Sequence, residues 1–189
     1  KALGLAAMAV TDRNTLAGVV RVHLAAKEVG LKLIVGARLD LMDAPSLLCL
    51  PTDRAAYGRL SRLLSLGQGR AGKGDCHLWL ADVAAHAEGQ ILIALPPEDW
   101  NWRAAGQEAS CAEVVAFSSP QKEAAASNSG LSAFAVSLQR IRDALPAGIP
   151  LHLAASHLYS GDDLGRIATL AGLAETCEAP LVAMNDVLY

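Results

Sequence analysis

The stretch Ala9-Val10-Thr11-Asp12-Arg13-Asn14 decides the fold, because a short apolar run ends abruptly in polar side chains. A second stretch of this kind, Ala183-Met184-Asn185-Asp186-Val187-Leu188-Tyr189, closes the chain. Buried strands of α/β proteins deliver functional groups to one rim of a sheet or barrel in this way. We therefore expect two strands, with Asp12 and Asp186 facing one pocket if the strands are neighbours.

Strand and helix signals alternate along the whole chain. Seven short apolar runs are predicted as strands: 5–10, 33–35 (ended by Gly36), 47–50, 90–95, 113–117, 149–153 and 181–184. Apolar runs without alternation predict strands covered on both faces, and repeated βα units predict a largely parallel sheet. The pattern thus favours an α/β fold in one domain, residues 1–189. A barrel and an open doubly wound sheet fit it equally.

The composition excludes several classes of protein. Hydrophobic residues make up 52% of the 189 residues and charged residues 19%, which excludes a disordered chain. The net charge of −3 gives no overall attraction to nucleic acid, so any such contact would be local. With 4% aromatic residues, the sequence argues against a base-stacking platform.

The four cysteines, Cys49, Cys76, Cys111 and Cys177, are widely spaced and form no Cys-x-x-Cys pair. We interpret them as reduced, mostly buried thiols of a cytoplasmic protein. The sequence has no apolar run of membrane-spanning length and no secretory pattern. It opens at Lys1 in what reads as the end of a helix, so we expect a segment of a longer protein.

The stretch Gly67-Gln68-Gly69-Arg70-Ala71-Gly72 matches G-x-G-x-x-G literally. A dinucleotide site needs a strand before this motif and a helix directly after it. Here an amphipathic helix precedes the motif and Lys73-Gly74-Asp75 follows it. We therefore interpret residues 67–74 as a flexible basic loop, and a nucleotide-binding module remains a weaker hypothesis.

Basic residues are locally in excess around that loop: Arg54, Arg59, Arg62, Arg70 and Lys73. Lysine and arginine neutralise backbone phosphates without reading sequence, although a solvated helix face is the commoner meaning of such a run. Arg59, Arg62, Arg70 and Lys73 are the candidates for phosphate contact.

Several histidines and acids are candidate metal ligands. His152 and His157 lie at or after a predicted strand end, the most favourable place for a ligand, but no His-x-His occurs. Asp12 and Asp186 could together hold a divalent ion or do acid–base work. Because Arg13 adjoins Asp12, an ion pair that satisfies the carboxylate is the simpler expectation.

Four stretches resemble the polymerase-and-histidinol-phosphatase (PHP) domain of bacterial C-family DNA polymerases, above all their error-prone branch. They are Gly4-Leu5-Ala6-Ala7-Met8-Ala9-Val10-Thr11-Asp12-Arg13-Asn14-Thr15-Leu16-Ala17-Gly18, Leu33-Ile34-Val35-Gly36-Ala37-Arg38-Leu39-Asp40, Arg70-Ala71-Gly72-Lys73-Gly74 and Pro180-Leu181-Val182-Ala183-Met184-Asn185-Asp186-Val187-Leu188-Tyr189. The resemblance implies a distorted (β/α)7 barrel, incomplete at its N-terminus because the first His-x-His motif would lie upstream of Lys1.

The resemblance also implies a vestigial metal pocket. Family histidines correspond to Arg13, Ser46 and Leu188, and a family glutamate corresponds to Arg38. The pocket residues carried over are Asp12, Arg13, Arg38, Asp40, Ser46, His157, Asp186 and Leu188. Arginine has no lone pair to donate, and like charges about 4 Å apart repel by about 4 kcal/mol at an effective dielectric near 20. We therefore expect no metal and no catalytic residue here.

By the same resemblance, the domain would be a non-catalytic support beside the palm and thumb of an error-prone DNA polymerase. The parent would extend primers across damaged template during DNA repair, using Mg²⁺ in a palm outside this segment. Its partners would be the rest of the polymerase chain, DNA through the parent and other translesion proteins, with no membrane. The alternative is a metal-dependent phosphoesterase or exonuclease that uses Asp12, His152, His157 and Asp186.

Overall fold

The computed structural model describes residues 4–100, 102, 130–159 and 161–185, and the fold in those ranges is mixed α/β. In chain order the elements are β1 (Ala7–Arg13), α1 (Val19–Glu28), β2 (Lys32–Leu39), β3 (Leu47–Pro51), α2 (Arg54–Arg70), α3 (Leu80–Ala85), β4 (Gln90–Ala94), α4 (Gly130–Ala144), β5 (Leu151–Ala155), α5 (Asp163–Thr176) and β6 (Leu181–Ala183).

The six strands form one curled sheet in the order β1-β2-β3-β4-β5-β6. Strands β1 and β2 are parallel, as are β4, β5 and β6, but β3 runs antiparallel to both of its neighbours. The predicted α/β barrel-type fold is confirmed. The expectation of a largely parallel sheet is wrong at β3, because the short connection from β2 cannot hold the crossover that a parallel neighbour needs.

The sheet is packed on both faces. The main core lies between one face of the sheet and the helices. It contains the strand residues Leu39, Leu92 and Leu153 and helix residues such as Leu60 and Leu138, all fully buried. A smaller cluster lies on the opposite, inner face and contains Leu48, Ile93 and Ala154, with Leu50, Leu95, Val182 and Met184 against it. Burial on both faces of the central strands explains their apolar runs without alternation.

Aspartates fix the starts of two helices. The Asp53 carboxylate accepts a hydrogen bond from the Ala56 amide at 2.7 Å and so caps α2. Asp43, in the connection from β2 to β3, accepts from the Leu80 amide at 2.9 Å at the start of α3. The strand-end acid Asp43 therefore serves a helix terminus.

Two predictions about glycines are wrong. Gly36 lies inside β2, where an added Cβ would be 2.8 Å from the Cys49 carbonyl oxygen, so glycine permits the close approach of β3. Helix α2 continues to Arg70, so the predicted loop 67–74 is helical in its first part. At Gly67 a Cβ would lie 2.6 Å from Cys76 Sγ, so this glycine lets the next segment pack against the helix.

Some predictions fall outside the described residues: the strand 113–117, Cys111, Asp186 and Leu188. Cys49 and Cys177 are buried free thiols, and Cys76 is half-buried. None of the helices described is both long and apolar enough to traverse a bilayer.

Candidate functional site

The strand register brings one set of strand ends to a common rim. Arg13 at the end of β1 pairs with Arg38 near the end of β2, and Leu39 pairs with Leu47 at the start of β3. The ends of β4, β5 and β6 reach the same edge of the sheet, since Leu47 also pairs with Ala94. This edge, here called the rim, is where α/β folds place functional groups.

Asp40 is the centre of the rim. Its Oδ1 accepts hydrogen bonds from Arg38 Nε at 2.9 Å and from Ser46 Oγ at 2.7 Å. Its Oδ2 lies 3.7 Å from Arg13 Nη1. The two arginines thus pair with Asp40, whereas the sequence predicted an ion pair between Arg13 and Asp12. Both carboxylate oxygens therefore already face positive charge.

Glu98, which sequence reasoning missed, completes this arrangement. Its Oε1 lies 3.4 Å from Arg13 Nη2 and 3.9 Å from Arg38 Nη2. Two guanidinium groups thus face two carboxylates, and the local charge balances. We call Arg13, Arg38, Asp40, Ser46 and Glu98 the rim network. Glu98 follows the strand that Pro96-Pro97 ends, but the sequence does not fix how the chain turns after these prolines.

Asn14 holds the backbone beneath the rim network. Its φ of 52° lies in the left-handed region, which asparagine tolerates better than most residues. Its amide donates to the Arg38 carbonyl at 2.8 Å, and its Oδ1 accepts from the Asp40 amide at 3.0 Å. The turn after β1 is thereby tied to the end of β2. Sequence reasoning gave Asn14 no such role.

Asp12 does not join the rim network. Alternation along β1 places it on the face opposite Arg13, in register with the buried Ala37. Its Oδ2 accepts from the Gly18 amide at 2.9 Å, at the start of α1. Asp12 therefore anchors a helix, and the described contacts do not bring it into one pocket with the rim arginines.

The two candidate histidines, His152 and His157, have different surroundings. His152 is in register with Ile93 on the inner face, and its buried Nδ1 has no hydrogen-bond partner within the described ranges. His157 Nδ1 lies 3.8 Å from Asp163 Oδ2 on the connection after β5. The Leu158 amide, donating to Asp163, lowers the pKa of that carboxyl. Asp186 and Leu188 lie outside the described residues.

The basic residues of α2 divide into two groups. Arg59 donates to the Glu88 carbonyl at 2.7 Å, and Arg70 Nη1 lies 2.6 Å from Asp82 Oδ2. Desolvation raises the pKa of Asp82, but hydrogen bonds from Arg70 and from the Trp79 amide outweigh it and lower the pKa overall. Arg62 and Lys73 are exposed and form no ion pair with any described residue.

The literal G-x-G-x-x-G match has no dinucleotide-binding geometry. Gly67 and Gly69 belong to the last turns of α2, and the Gly67 carbonyl accepts from the His77 amide at 3.0 Å. A dinucleotide site requires the opposite order, with the glycines leading into the helix. The described structure therefore gives the nucleotide-binding hypothesis no support.

The described donors do not fit a metal cluster. No three histidine, cysteine, aspartate or glutamate side chains converge anywhere in the described ranges. Asp40 and Glu98 approach each other only through Arg13 and Arg38, and a guanidinium offers no lone pair to a cation. The chemistry available at the rim network is charge pairing.

Comparisons with known proteins agree with this fold. The family model described as "PHP domain" matches residues 1–135. The whole chain is 43% identical over 190 residues to an error-prone DNA polymerase of Caulobacter vibrioides, of which it covers 15%. It is 39% identical over 192 residues to one of Rhodopseudomonas palustris strain BisB5, of which it covers 14%.

Among solved structures, the chain resembles an amidohydrolase from Chromobacterium violaceum that has bound sulfate and no metal. The TM-score is 0.53 and the sequence identity 14%, over 98% of this chain and 78% of that one. This likeness shows the fold alone. The family match, together with the identity to the polymerases along the whole of this chain, shows that the chain belongs to the PHP domain family.

Proposed function

We propose that this domain is a non-catalytic, metal-free structural support within an error-prone DNA polymerase. The observation that carries the proposal is the state of Asp40, whose two oxygens face Arg38, Ser46 and Arg13. A metal ion would have to displace guanidinium groups that already neutralise this carboxylate. Loss of donors and gain of positive charge both oppose cation binding.

In this proposal the rim network holds the strand ends together, as a metal cluster would otherwise do. It links the ends of β1 and β2, the start of β3 and the segment after β4. The Arg38 side chain is only 15% exposed, so its pairing with Asp40 is partly shielded from water. Removing one partner of such a pair lowers the stability of the fold by more than the intact pair contributes to it.

The parent protein supplies the activity in this proposal. The chain spans about 15% of the length of the curated relatives it matches over its whole length. Residues 1–189 would be one domain beside a palm and thumb, and Mg²⁺ in that palm would support DNA synthesis across damaged template. DNA would be met through the parent, in the cytoplasm, alongside other translesion proteins.

Metal content tests the proposal directly. The purified chain, expressed with added zinc, manganese and iron salts and never exposed to chelator, should contain no stoichiometric metal by elemental analysis. It should also not hydrolyse p-nitrophenyl phosphate in the presence of those ions. One or more tightly held ions per chain, or metal-stimulated hydrolysis, would favour the alternative, a metal-dependent phosphoesterase.

A further inference from the structure

A second charged surface lies on α2 and the segment that follows it, outside the rim network. Arg70 Cζ lies 5.3 Å from the centroid of the Trp79 ring, within cation–π range. The His77 ring meets the same indole edge-on, with centroids 6.4 Å apart. Trp79 is 39% exposed, so a large aromatic ring is presented to solvent between two groups that hold it.

Asp82 fixes this stack from below. One carboxylate oxygen accepts from both Arg70 Nη1, at 2.6 Å, and the Trp79 amide, at 3.0 Å. The Asp82 side chain is only 14% exposed, whereas that of Arg70 is 39% exposed. The acid is therefore turned inward and the cation outward, and the stack is organised before any ligand arrives.

Two further cations lie near Arg70 in the chain. Arg62 lies two turns before Arg70 on α2, about 12 Å away along the helix axis. Lys73 follows the end of the helix. Both are exposed, and no described acid pairs with either. Together with Arg70, His77 and Trp79 they form what we call the basic–aromatic face.

We propose that the basic–aromatic face binds single-stranded DNA. Sequence-tolerant binding of single strands combines backbone contacts by cations with stacking of bases on aromatic rings. Arginine planes also stack on unpaired bases, and a duplex would not offer its bases to Trp79. The low aromatic content argues against an extended stacking platform, and this face offers one exposed ring, Trp79. The choice of DNA rests on the proposed function.

Fluorescence anisotropy with labelled oligothymidylate and the 189-residue chain tests this inference. At low salt we expect saturable binding that weakens as salt rises. The double variant Arg62→Ala/Lys73→Ala should reduce the slope of log affinity against log salt by about 1.4, because each phosphate contact on a single strand contributes about 0.7. The matched control is Arg21→Ala/Lys27→Ala, which removes two exposed charges from α1 and should leave binding unchanged.

Trp79→Ala should weaken binding by roughly fivefold to 150-fold, and Trp79→Phe should restore part of the loss, since stacking needs a ring. Thermal melts identify any variant that fails to fold. If Trp79→Ala does not fold, the affinity of Trp79→Phe is compared with that of the unmodified chain instead. Absence of binding at low salt, equal loss in the α1 control, or tighter binding of duplex would overturn the inference. Metal analysis remains a separate readout, so this failure leaves the proposal for the rim network standing.

Discussion

Replacing Arg38 by alanine should lower the free energy of unfolding by about 2 kcal/mol. The side chain is 15% exposed and donates to Asp40 at 2.9 Å and to Ser46 at 3.4 Å. Hydrogen bonds to charged groups contribute about 1.5–3 kcal/mol. Losing one partner of a fully buried pair costs about 3–5 kcal/mol, but Asp40 is 33% exposed and water would solvate part of its charge.

Arg13→Ala is the matched comparison, because the same charge is removed from the same network. Arg13 is 54% exposed, and its nitrogens lie 3.4 Å from Glu98 and 3.7 Å from Asp40. Exposed pairs of this kind contribute about 0–1 kcal/mol. We therefore expect Arg13→Ala to cost less than half as much as Arg38→Ala.

Urea unfolding followed by tryptophan fluorescence measures both variants, and thermal melts provide a second estimate. For a chain of this length a loss of 2 kcal/mol corresponds to a Tm lower by about 4–8 °C. A double-mutant cycle with Asp40→Asn should give a coupling energy of about 1 kcal/mol or more. The reasoning is refuted if Arg38→Ala melts like the parent, or if Arg13→Ala costs as much as Arg38→Ala.

Three further outcomes are expected. Gly36→Ala should cost about 1–3 kcal/mol in urea unfolding, because the new Cβ would collide with Leu50 Cδ2 and lie 2.8 Å from the Cys49 carbonyl oxygen. An unchanged midpoint would show that β3 can move away freely. Burial raises the pKa of Cys49 from 9.0 to about 12, so a thiol reagent at pH 8 should leave Cys49 of the native protein unlabelled in peptide mapping, independently of the half-buried Cys76. Stability should fall as pH rises from about 9 towards 12, where only the unfolded thiol ionises; rapid labelling of Cys49 in the native protein would contradict this. The double variant Arg13→His/Arg38→Glu places metal-ligand residue types at the rim. Equilibrium dialysis should therefore detect more bound zinc in the variant than in the unmodified chain. Equal zinc binding by both would contradict the idea that the two arginines prevent metal binding.

Much of the fold follows from local sequence patterns. Strands β3 and β6 lie within a residue of their predicted bounds, because short apolar runs act locally. The direction of β3 was missed, although the connection from Asp40 to Ser46 is too short for a crossover helix.

The site was harder to predict because it depends on which face each side chain occupies. Asp12 and Arg13 are adjacent, so the two-residue period of a strand places them on opposite faces, and only Arg13 joins the rim network. The partnership of Arg38 with Asp40 follows from the same period, since the two residues are two positions apart. Glu98 could not be placed, because its position depends on how the chain turns after Pro96-Pro97.

The reversal of β3 gives the chain one sheet contact that can form quickly. Leu39 pairs with Leu47 across a short connection, whereas Leu92 must find Leu151 from far along the chain. Closing a short loop sacrifices less chain entropy than closing a long one, so the hairpin can form while the distant strands are still searching. The segment that carries Arg38, Asp40 and Ser46 would then serve as an early nucleus on which later strands assemble.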